Sequence, residues 1–469
     1  MKSEEFATAM KFVVIGITDN PNPWFPPEVM EIIKQGRVFS GGKRHHEIVA
    51  PLLPAGAEWI DITVPLDAVF EQYETPPQPF PMRDGNSHTE GRNLFTPLPS
   101  REGQGGGSII VFASGDPLFF GFANTVKRKM PEAEIVVYPT FNSLQMLAHR
   151  LVMPYHDMRI VSLTGRPWPE FDKALIERAE KIGILTDKEH TPAAIAQRML
   201  EYGYTYYTMH VGEHLGNPTL EKVTTLTLDE AANREFSMPN CVILNKNGHE
   251  LNTNCSQMNI NNHSWPINGN SCSKNRVFGI PDHEFMLLDG REKMITKMPI
   301  RLLTLQALDL PRRHVLWDIG FCTGSVSIEA RLQFPHLHIE AFEIRPECEA
   351  IIHENARRFG APGINVHMGD FRLVCCDDIT TNGTPDAVFI GGHGGHLKEI
   401  MAKVLAVLAP GGVIVFNSVT SSVVEQVTER KSSRELWDEA CTELGLQQEP
   451  PLRIQLNNYN TIEVLKVKR

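Results

Sequence analysis

Acidic residues and glycines stand together at the ends of predicted strands in the second half of the chain, where they could bind a charged, nucleotide-like ligand. Residues 314–329 read HVLWDIGFCTGSVSIE. An apolar strand ends at Asp318, and a turn with Gly320 and Gly324 enters a helix near Ser325. Glycine lets the backbone approach a ligand closely, and the free N–H groups of a helix N-terminus suit a carboxylate or phosphate. Dinucleotide enzymes use the same device, so the turn alone is weak evidence.

Two further acids and a second glycine loop sharpen this prediction. Glu343 ends the next apolar strand, Asp370 follows the third strand, and Gly391 opens the loop GGHGGH after the fourth. Ligands of parallel α/β sheets lie beyond the carboxyl ends of the strands, so one shared pocket is expected. The acid before the first glycine and the distal acid favour a ligand with a cationic amino-acid end and a ribose, namely S-adenosylmethionine.

Each of these residues also has a structural explanation. Asp318 could cap the turn that follows it, and Asp370 could cap a helix. Glu343 could pair with Arg345 at the surface, an interaction worth about 0–1 kcal/mol. His393, within the glycine loop, is a weak candidate for a base, and a solvated loop histidine is the alternative. Both interpretations stay open at this point.

In the first half, cationic and turn-forming residues follow predicted strands. The motif GGKRHHE at 41–47 forms a compact cationic loop, which is either a solvated turn or a site for substrate carboxylates. A buried strand at 109–113 runs into the turn SGDP, a plausible ligand edge. The residues singled out here are Lys43, Arg44, Gly115, Asp116, Pro117 and, after a later strand, Arg166.

The elements that must position these residues alternate between strand and helix, which predicts α/β architecture in both halves. In the first half we expect strands at 11–17, 109–113, 134–138, 159–163, 182–185, 206–211 and 240–245, with helices at 28–34, 118–129 and 143–151. Thr191 and Pro192 predict a capped helix start. In the second half we expect helices at 299–308, 325–333 and 348–359, strands at 315–318, 338–343, 364–368, 386–390 and 412–417, and a hairpin at 453–466. Two segments of low hydrophobicity, 75–107 and 246–275, are predicted to be an insertion and a linker.

Composition bounds the class of protein. At 469 residues the chain is too long for one ordinary core. The sequence contains no run of about 18 apolar residues, so no transmembrane helix is expected. The N-terminus lacks the apolar core of a signal peptide. The net charge of −11 disfavours nucleic acid and anionic membranes as partners, yet it permits a small acidic substrate in a locally basic pocket.

Cysteine usage indicates a reducing cytoplasm, since the eight cysteines include no CxxC pair. Cys255, His263 and Cys272 match no metal template, so no metal site is predicted. Cys322 stands in the first glycine turn. Its thiol could be a nucleophile, but the favoured interpretation is a small residue that permits close ligand approach if the backbone there avoids positive φ.

Several motifs resemble those of known families. Residues 12–245 resemble the tetrapyrrole methylases of the cobalamin pathway through VVIGI, GGKRHHE, ASGDPLFFG, SLTGRP, LTDKEHTPAAIA and GEHLGNPTLEKV. Residues 278–467 resemble a class I methyltransferase of the same pathway through FGIPDHEF, ITK, Arg301, LWDIGFCTGSVSIEA and FIGGHGG.

The resemblance implies an architecture and an activity. A tetrapyrrole-methylase-type α/β region (1–245) would be followed by a linker (246–275) and a Rossmann-like class I methyltransferase domain (276–469). With S-adenosylmethionine, the first region would methylate meso carbon 5 of an acidic tetrapyrrole, a precorrin or its cobalt form. The second would methylate carbon 15 and remove the carboxyl group of the ring C acetate. A cytoplasmic homo-oligomer is expected.

The resemblance also carries residue roles. The expected cofactor contacts are Gly115, Asp116, Pro117, Asp318, Gly320, Gly324, Glu343, Asp370 and Gly391. The expected substrate contacts are Lys43, Arg44, Arg166, Thr296, Lys297 and Arg301.

Three alternatives remain. A nicotinamide-dependent oxidoreductase would also use a glycine turn and a distal acid, although it does not typically place an acid two residues before the first glycine. A monofunctional methyltransferase with one inactive tetrapyrrole-binding half is the second alternative, and a non-enzymatic tetrapyrrole carrier is the third. Cofactor titration would separate them.

Overall fold

The structure, a computed structural model, describes residues 10–74, 108–247, 278–421, 431–457 and 460–469. The predicted insertion, 75–107, and residues 248–275 of the predicted linker lie outside these ranges. The described residues form three sheets, each flanked by helices. The α/β prediction is therefore confirmed for both halves.

The first sheet has five parallel strands in the order β3-β2-β4-β1-β5. They are β1 (Lys11–Ile17), β2 (Val38–Gly41), β3 (Glu58–Asp61), β4 (Ser108–Ser114) and β5 (Glu134–Tyr138). Helices α1 (Pro27–Gln35) and α2 (Lys43–Val49) pack on one face, and α3 (Asp67–Glu74) and α4 (Phe122–Lys129) on the other. The inner residues of the central strands β1 and β4, 12–15 and 109–113, are apolar and buried because both faces of these strands are covered.

The second sheet is mixed, with the order β6-β7-β10-β8-β9. Its strands are β6 (Arg159–Ser162), β7 (Lys181–Leu185), β8 (Tyr207–Glu213), β9 (Lys222–Leu226) and β10 (Asn240–Lys246). Helix α5 (Ser143–Arg150) covers one face, and the other carries α6 (Pro169–Ile176), α7 (Pro192–Glu201) and α8 (Leu228–Ala232). The predicted cap is confirmed, since the Thr191 hydroxyl accepts from the Ala194 amide at 3.2 Å.

The third sheet has the order β13-β12-β11-β14-β15-β17-β16 and is parallel as far as β15. Its strands are β11 (Val315–Ile319), β12 (His338–Glu343), β13 (Ile364–Met368), β14 (Ala387–Ile390), β15 (Val413–Ser421), β16 (Leu452–Asn457) and β17 (Asn460–Lys468). Its helices are α9 (Met298–Leu308), α10 (Ser325–Gln333), α11 (Glu347–Phe359), α12 (Cys376–Ile379), α13 (Leu397–Val407) and α14 (Ser433–Glu443). The last two strands form the predicted antiparallel hairpin.

Two sequence predictions in the first half were wrong. The motif at 41–47 is not a loop, because most of it belongs to helix α2. The apolar pair that follows it, Ile48 and Val49, is buried and gives the segment a face that packs on the sheet. The helix expected from residue 118 begins only at Phe122, because the chain first turns tightly. A Cβ on Gly121 would lie 2.4 Å from the carbonyl oxygen of Pro117.

Candidate functional site

At the third sheet, the first glycine turn lies directly against the glycine loop that follows β14. Gly320 has φ +80°, and a Cβ on it would come within 2.5 Å of the Gly392 nitrogen. The Gly391 amide in turn donates to the last carbonyl of β11 at 2.8 Å. Gly324 is required for another reason, since a Cβ there would lie 2.4 Å from Cγ1 of Ile352 in α11. The glycines therefore permit close packing of backbone and helix at the edge where a ligand is expected.

Asp318 is fully buried at the end of β11, and only one of its two carboxylate oxygens has a hydrogen-bond partner in the described part of the chain. Its Oδ2 accepts from the Ser327 hydroxyl at 2.6 Å, whereas its Oδ1 has no hydrogen-bond partner among the described residues. Burial raises the pKa of this carboxyl to about 6, and the nearby Glu343 charge adds to the effect. The buried hydroxyl of Thr323, in the same turn, also lacks a partner. Buried polar atoms are rarely left unpaired, so these two indicate a place for a ligand.

The carboxylate of Glu343, at the end of β12, already accepts hydrogen bonds from neighbouring residues. Its carboxylate accepts from the Cys322 amide at 3.0 Å and from the Ile344 amide at 2.9 Å. The backbone amide of Arg345 donates to it at 3.1 Å, and the guanidinium of the same residue at 3.0 Å. The expected ion pair with Arg345 is present, but the carboxylate is buried rather than at the surface. Because the Arg345 side chain is 35% exposed, it is the partner that an incoming hydroxyl could displace.

Asp370 shows the capping role that the sequence left open. Its carboxylate accepts from the backbone amide of Arg372 at 2.9 Å and from the guanidinium of the same residue at 2.6 Å. Hydrogen bonds from Arg372 lower the pKa of Asp370 to about 2. Contact with a cofactor at this position stays a prediction.

Cys322 adopts φ +50°, so the condition under which it was expected to permit close ligand approach, a backbone that avoids positive φ, is not met. Its backbone amide lies in the glycine turn and donates a hydrogen bond to the carboxylate of Glu343. Burial raises the pKa of the thiol above its usual range, and a protonated thiol is a poor nucleophile. The geometry favours a structural role for Cys322 in shaping the turn.

His393 lies in the glycine loop with one ring nitrogen occupied. Its Nδ1 accepts from the Gly395 amide at 3.1 Å, and its ring packs edge-on against Phe416 with centroids 5.7 Å apart. Burial and the neighbouring His396 lower its pKa, so its ring is neutral at physiological pH. Its Nε2 is then the protonated nitrogen, which can donate but cannot accept a proton. This arrangement gives no support to His393 as a base.

The expected substrate cation Arg301 lies in the protein core. Its side chain is 0% exposed and donates to Glu329 at 3.2 Å, to Asp282 at 3.3 Å and to the carbonyl of Thr296 at 2.9 Å. A guanidinium in this position does not reach a bound substrate in the conformation described. Its partners instead indicate that Arg301 anchors the segment before α9.

The other two expected substrate contacts, Thr296 and Lys297, are half-buried at the start of α9. The backbone of Lys297 caps the helix, and its ammonium lies 3.9 Å from Asp282. The carboxylate of Asp282, not Thr296, accepts from the first free amide of the helix, that of Met298, at 2.9 Å. Substrate contact by Thr296 and Lys297 stays a prediction.

The first sheet repeats the packing of glycine turns. A Cβ on Gly16 would lie 2.0 Å from the carbonyl oxygen of Gly115. Gly115 has φ +62°, and a Cβ on it would lie 2.8 Å from Cα of Asn142. Asp116 closes the turn by accepting from the Leu118 amide at 2.9 Å. In both halves, therefore, glycines meet backbone to backbone at the carboxyl ends of neighbouring strands, although Gly16 still belongs to β1.

A polar cluster at this edge includes residues that the sequence did not single out. Ser114 Oγ accepts from Arg44 at 2.7 Å and lies 2.9 Å from Nε2 of His45. Arg44 also pairs with Asp19 at 2.5 Å, and Asp19 lies 2.9 Å from Nδ1 of His214. Arg44 is therefore held in place by neighbours rather than extended into solvent. Its partners lie 25 to 70 residues away along the chain, so no local pattern could have identified them.

The hydrogen bonds of this cluster leave one donor free. The Gly42 amide donates to Nδ1 of His45 at 3.3 Å, so in the neutral ring the proton is on Nε2 and points to Ser114. Burial and the charge of Arg44 lower the pKa of His45 to about 4, which keeps the ring neutral. Ser114 thus accepts from two partners, and its own O–H remains available to an acceptor outside the cluster.

Beside this edge lies a cavity of about 320 Å³ lined by aromatic and cationic side chains. Phe120, 47% exposed, has φ +53°, and the Arg166 guanidinium lies 5.1 Å from its ring centroid. The other lining residues are Leu118, Phe119, Gly121, Asn124, Thr125 and Arg128. The cavity offers flat apolar surface and fixed positive charge together, which the separate motifs did not reveal. Lys43 is exposed on α2 and is absent from the lining.

Two family models match the chain. Residues 11–232 match the model described as Tetrapyrrole (Corrin/Porphyrin) Methylases, and residues 289–436 match the Precorrin methyltransferase domain. Among the helices of the described ranges, none is long and apolar enough to cross a membrane. Within the same residues, no cluster of three or more His, Cys, Asp or Glu side chains could hold a metal ion.

Individual relatives cover one or both halves. The precorrin-6Y C(5,15)-methyltransferase [decarboxylating] of a Sinorhizobium species is 28% identical over 90% of this chain and 87% of its own length. Two relatives come from Salmonella typhimurium. The cobalt-precorrin-6B C(15)-methyltransferase (decarboxylating) is 39% identical over 29% of this chain and 67% of its own length. The cobalt-precorrin-7 C(5)-methyltransferase is 27% identical over 50% of this chain and 98% of its own length.

Proposed function

Because the chain belongs to the precorrin-6Y C(5,15)-methyltransferase (decarboxylating) family, we propose that it methylates meso carbons 5 and 15 of a precorrin or cobalt-precorrin and decarboxylates the ring C acetate. The observation that carries this proposal is the presence of two separate sheet edges with the same backbone-on-backbone glycine packing, at Gly16 and Gly115 and again at Gly320 and Gly392. One such edge for each methyl transfer fits a two-site enzyme.

S-adenosylmethionine is the proposed methyl donor at both edges. In the second half, the unpaired Oδ1 of Asp318 and the unpaired hydroxyl of Thr323 suit its cationic amino-acid end. Glu343 suits the hydroxyls of a ribose once Arg345 moves aside. In the first half, Gly115 and Asp116 form the corresponding turn. The cofactor supplies a methyl group activated by a sulfonium, so no protein nucleophile is required.

The chain's own residues then orient the substrate and exclude water. A meso carbon of a reduced tetrapyrrole is enamine-like and already nucleophilic, so alignment and desolvation contribute most of the rate. In the first half, the cavity at Phe120 and Arg166 suits a flat macrocycle that bears carboxylates, since guanidinium groups bind carboxylates through paired hydrogen bonds. In the second half, Lys297 is the candidate cation, because Arg301 is occupied in the core.

The division of labour is part of the proposal. Residues 1–245 would methylate carbon 5, and residues 276–469 would methylate carbon 15 and decarboxylate the acetate. The two Salmonella relatives support it, since one is named for carbon 15 and decarboxylation and the other for carbon 5.

Product mass analysis on the full chain tests this division. Asp318→Asn should leave one methyl transfer intact and abolish the other together with the loss of carbon dioxide. Asp309→Asn is a matched control, because Asp309 lies at the end of α9 away from the turn and asparagine tolerates its left-handed backbone. If Asp318→Asn loses both methyl transfers while remaining folded, the division is wrong.

Cofactor stoichiometry separates this proposal from a monofunctional enzyme. Calorimetric titration of the full chain with S-adenosylhomocysteine should give two sites per chain. A single site that Asp318→Asn abolishes would assign all cofactor binding to the second half and contradict activity in the first.

A further inference from the structure

The two halves of the chain meet at a small buried contact. The Tyr204 hydroxyl, in the first half, donates to the carbonyl oxygen of Gly360 in the second half at 2.7 Å. Tyr204 is 5% exposed. Gly360 ends helix α11 with φ +63°, and a Cβ on it would lie 3.2 Å from the carbonyl oxygen of Tyr202. The contact thus combines one hydrogen bond with backbone packing that leaves little room for a side chain at position 360.

Opposite charges lie on the two sides of the same contact. Arg331 of helix α10 is 2% exposed, and its Nε and Nη1 donate to the carbonyls of Pro362 and Leu337 at 2.6 and 2.9 Å. Its Nη2 has no hydrogen-bond partner among the described residues. A Cβ on Gly363 would lie 2.9 Å from this Nη2 and 2.9 Å from Oδ2 of Asp172, in the first half. The two charged groups therefore face each other across Gly363.

Asp172 does not stand alone on its side of the contact. It is 0% exposed and binds Arg198 through two hydrogen bonds of 2.7 and 2.6 Å. The carboxylate of Asp172 opposes the effect of burial on Arg331 and is the largest stabilising charge on it. A buried guanidinium without a nearby anion would destabilise the fold, because no favourable charge interaction offsets the free energy of its desolvation. Among the described residues, the carboxylates that act favourably on Arg331 thus come from the first half.

The contact lies away from the proposed ligand edge of the third sheet. Gly363 directly precedes β13, so it lies at the amino ends of the parallel strands. Gly320 and Glu343 lie at their carboxyl ends. The docking contact and the ligand edge of the second half therefore lie at opposite ends of the same strands.

We propose that Asp172, Tyr202 and Tyr204 form a docking surface for the second half of the same chain, engaged through Arg331 and Gly360, which holds the halves together independently of the peptide that joins them. The partner is specific, because it must present a glycine in the left-handed conformation beside a buried arginine.

Cleavage of the joining peptide tests the proposal. A protease site inserted between residues 262 and 263 of the full chain allows the folded protein to be cut, and sedimentation then measures complexes that contain both fragments. The fragments of the otherwise unchanged chain should remain together at micromolar concentration. Gly360→Asn should raise the dissociation constant between them at least tenfold, because a side chain there meets the Tyr202 carbonyl.

The matched control is Gly445→Asn. Gly445 also has a left-handed backbone, with φ +66°, but no atom lies within 4 Å of the Cβ position. Asparagine tolerates this conformation, so the control should retain the unchanged affinity. Tyr204→Phe removes only the hydroxyl and should weaken association severalfold without disturbing the fold, as checked by circular dichroism of the uncut protein.

Two results would overturn the proposal. One is separation of the unchanged fragments at micromolar concentration. The other is an equal dissociation constant for the unchanged, Gly360→Asn and Tyr204→Phe proteins, which would place the attachment elsewhere.

Discussion

At the scale of single residues, the structure distinguishes a buried carboxylate with an unpaired oxygen from one whose oxygens already accept hydrogen bonds. Asp318 and Glu343 both end a strand of the third sheet and are both buried. Yet Asp318 keeps one oxygen unpaired, whereas Glu343 is bound by three backbone amides and Arg345. Asp318 is therefore the residue whose role a single substitution should expose most clearly.

The substitution Asp318→Asn should raise the free energy of unfolding and lower the affinity for the ligand. Burial raises the pKa of Asp318 to about 6, so the unfolded chain releases this proton at lower pH than the native state does. The native state accordingly loses stability as pH rises from about 4 to about 6, by up to ~3 kcal/mol. Urea unfolding should show this loss in the unchanged protein and not in the variant.

Ligand binding supplies the second readout for Asp318. Affinity for S-adenosylhomocysteine at the second-half site should fall at least tenfold in Asp318→Asn, because the variant lacks the carboxylate charge that would face the ammonium group in the proposed complex. Unchanged affinity at that site, or a variant less stable than the unchanged protein at pH 8, would contradict the assignment.

His45→Gln should reduce acid sensitivity. Burial and Arg44 lower the pKa of His45 to about 4, so between pH 6.5 and pH 4 the unfolded chain binds a proton that the native state does not. Stability from this source is present above pH 6.5 and is lost as pH falls. Glutamine keeps a donor to Ser114 and does not titrate, so the decline between pH 6.5 and 4, followed by fluorescence-monitored unfolding, should be shallower. His156→Gln, at an exposed histidine, should leave the decline unchanged.

At the scale of elements, the same device recurs in two sheets of different topology. Glycines at the carboxyl ends of neighbouring parallel strands pack backbone to backbone, at Gly16, within β1, against Gly115 and at Gly320 against Gly392. This packing brings the strand ends close together and leaves no room for a Cβ. The glycines are therefore required by the fold as well as by any ligand.

Gly320→Ala should be severely destabilising. Alanine in a left-handed conformation costs about 1–2 kcal/mol, and its Cβ would also meet the Gly392 nitrogen at 2.5 Å. We expect a total loss of about 3–5 kcal/mol in the free energy of urea unfolding. Gly394→Ala is the control, since its φ is +55° but its Cβ would meet open space. Equal losses in the two variants would refute the packing explanation.

Arg301→Met should disrupt the attachment of the segment before α9. The substitution leaves the buried carboxylate of Glu329 without its guanidinium partner, which typically costs about 3–5 kcal/mol. Lys297→Met, at a half-buried lysine 3.9 Å from Asp282, should change stability little and weaken substrate binding instead. Thermal unfolding and substrate KM together distinguish the two roles, and a stable Arg301→Met protein with a raised KM would restore Arg301 as a substrate contact.

At the scale of the whole molecule, the chain carries two candidate sites and a contact that joins its halves. The first and third sheets carry glycines that pack backbone to backbone at the carboxyl ends of neighbouring strands. The joining contact lies at the other end of the strands of the third sheet, opposite the Gly320 turn. The contact between the halves and the candidate site of the second half therefore lie at opposite ends of the strands of one sheet. The expected homo-oligomer remains a prediction at this scale, for which sedimentation of the uncut chain is the direct measurement.

The sequence by itself determined the elements and the edge at which ligands are expected. Periodic apolar runs predicted β11, α10, β12 and β13 nearly to the residue, because strand and helix spacing are local properties. The acids at the ends of those strands were likewise visible, as were the motifs that identify the family.

Only the tertiary structure decided what each polar side chain contacts. Arg301 looked like a substrate cation, but packing buried it against Glu329, 28 residues away. Ser114, His45, Asp19 and His214 became a cluster through contacts spanning up to 195 residues. Burial, hydrogen-bond partners and shifted pKa values all depend on which distant segments meet, and a linear pattern carries no record of those meetings.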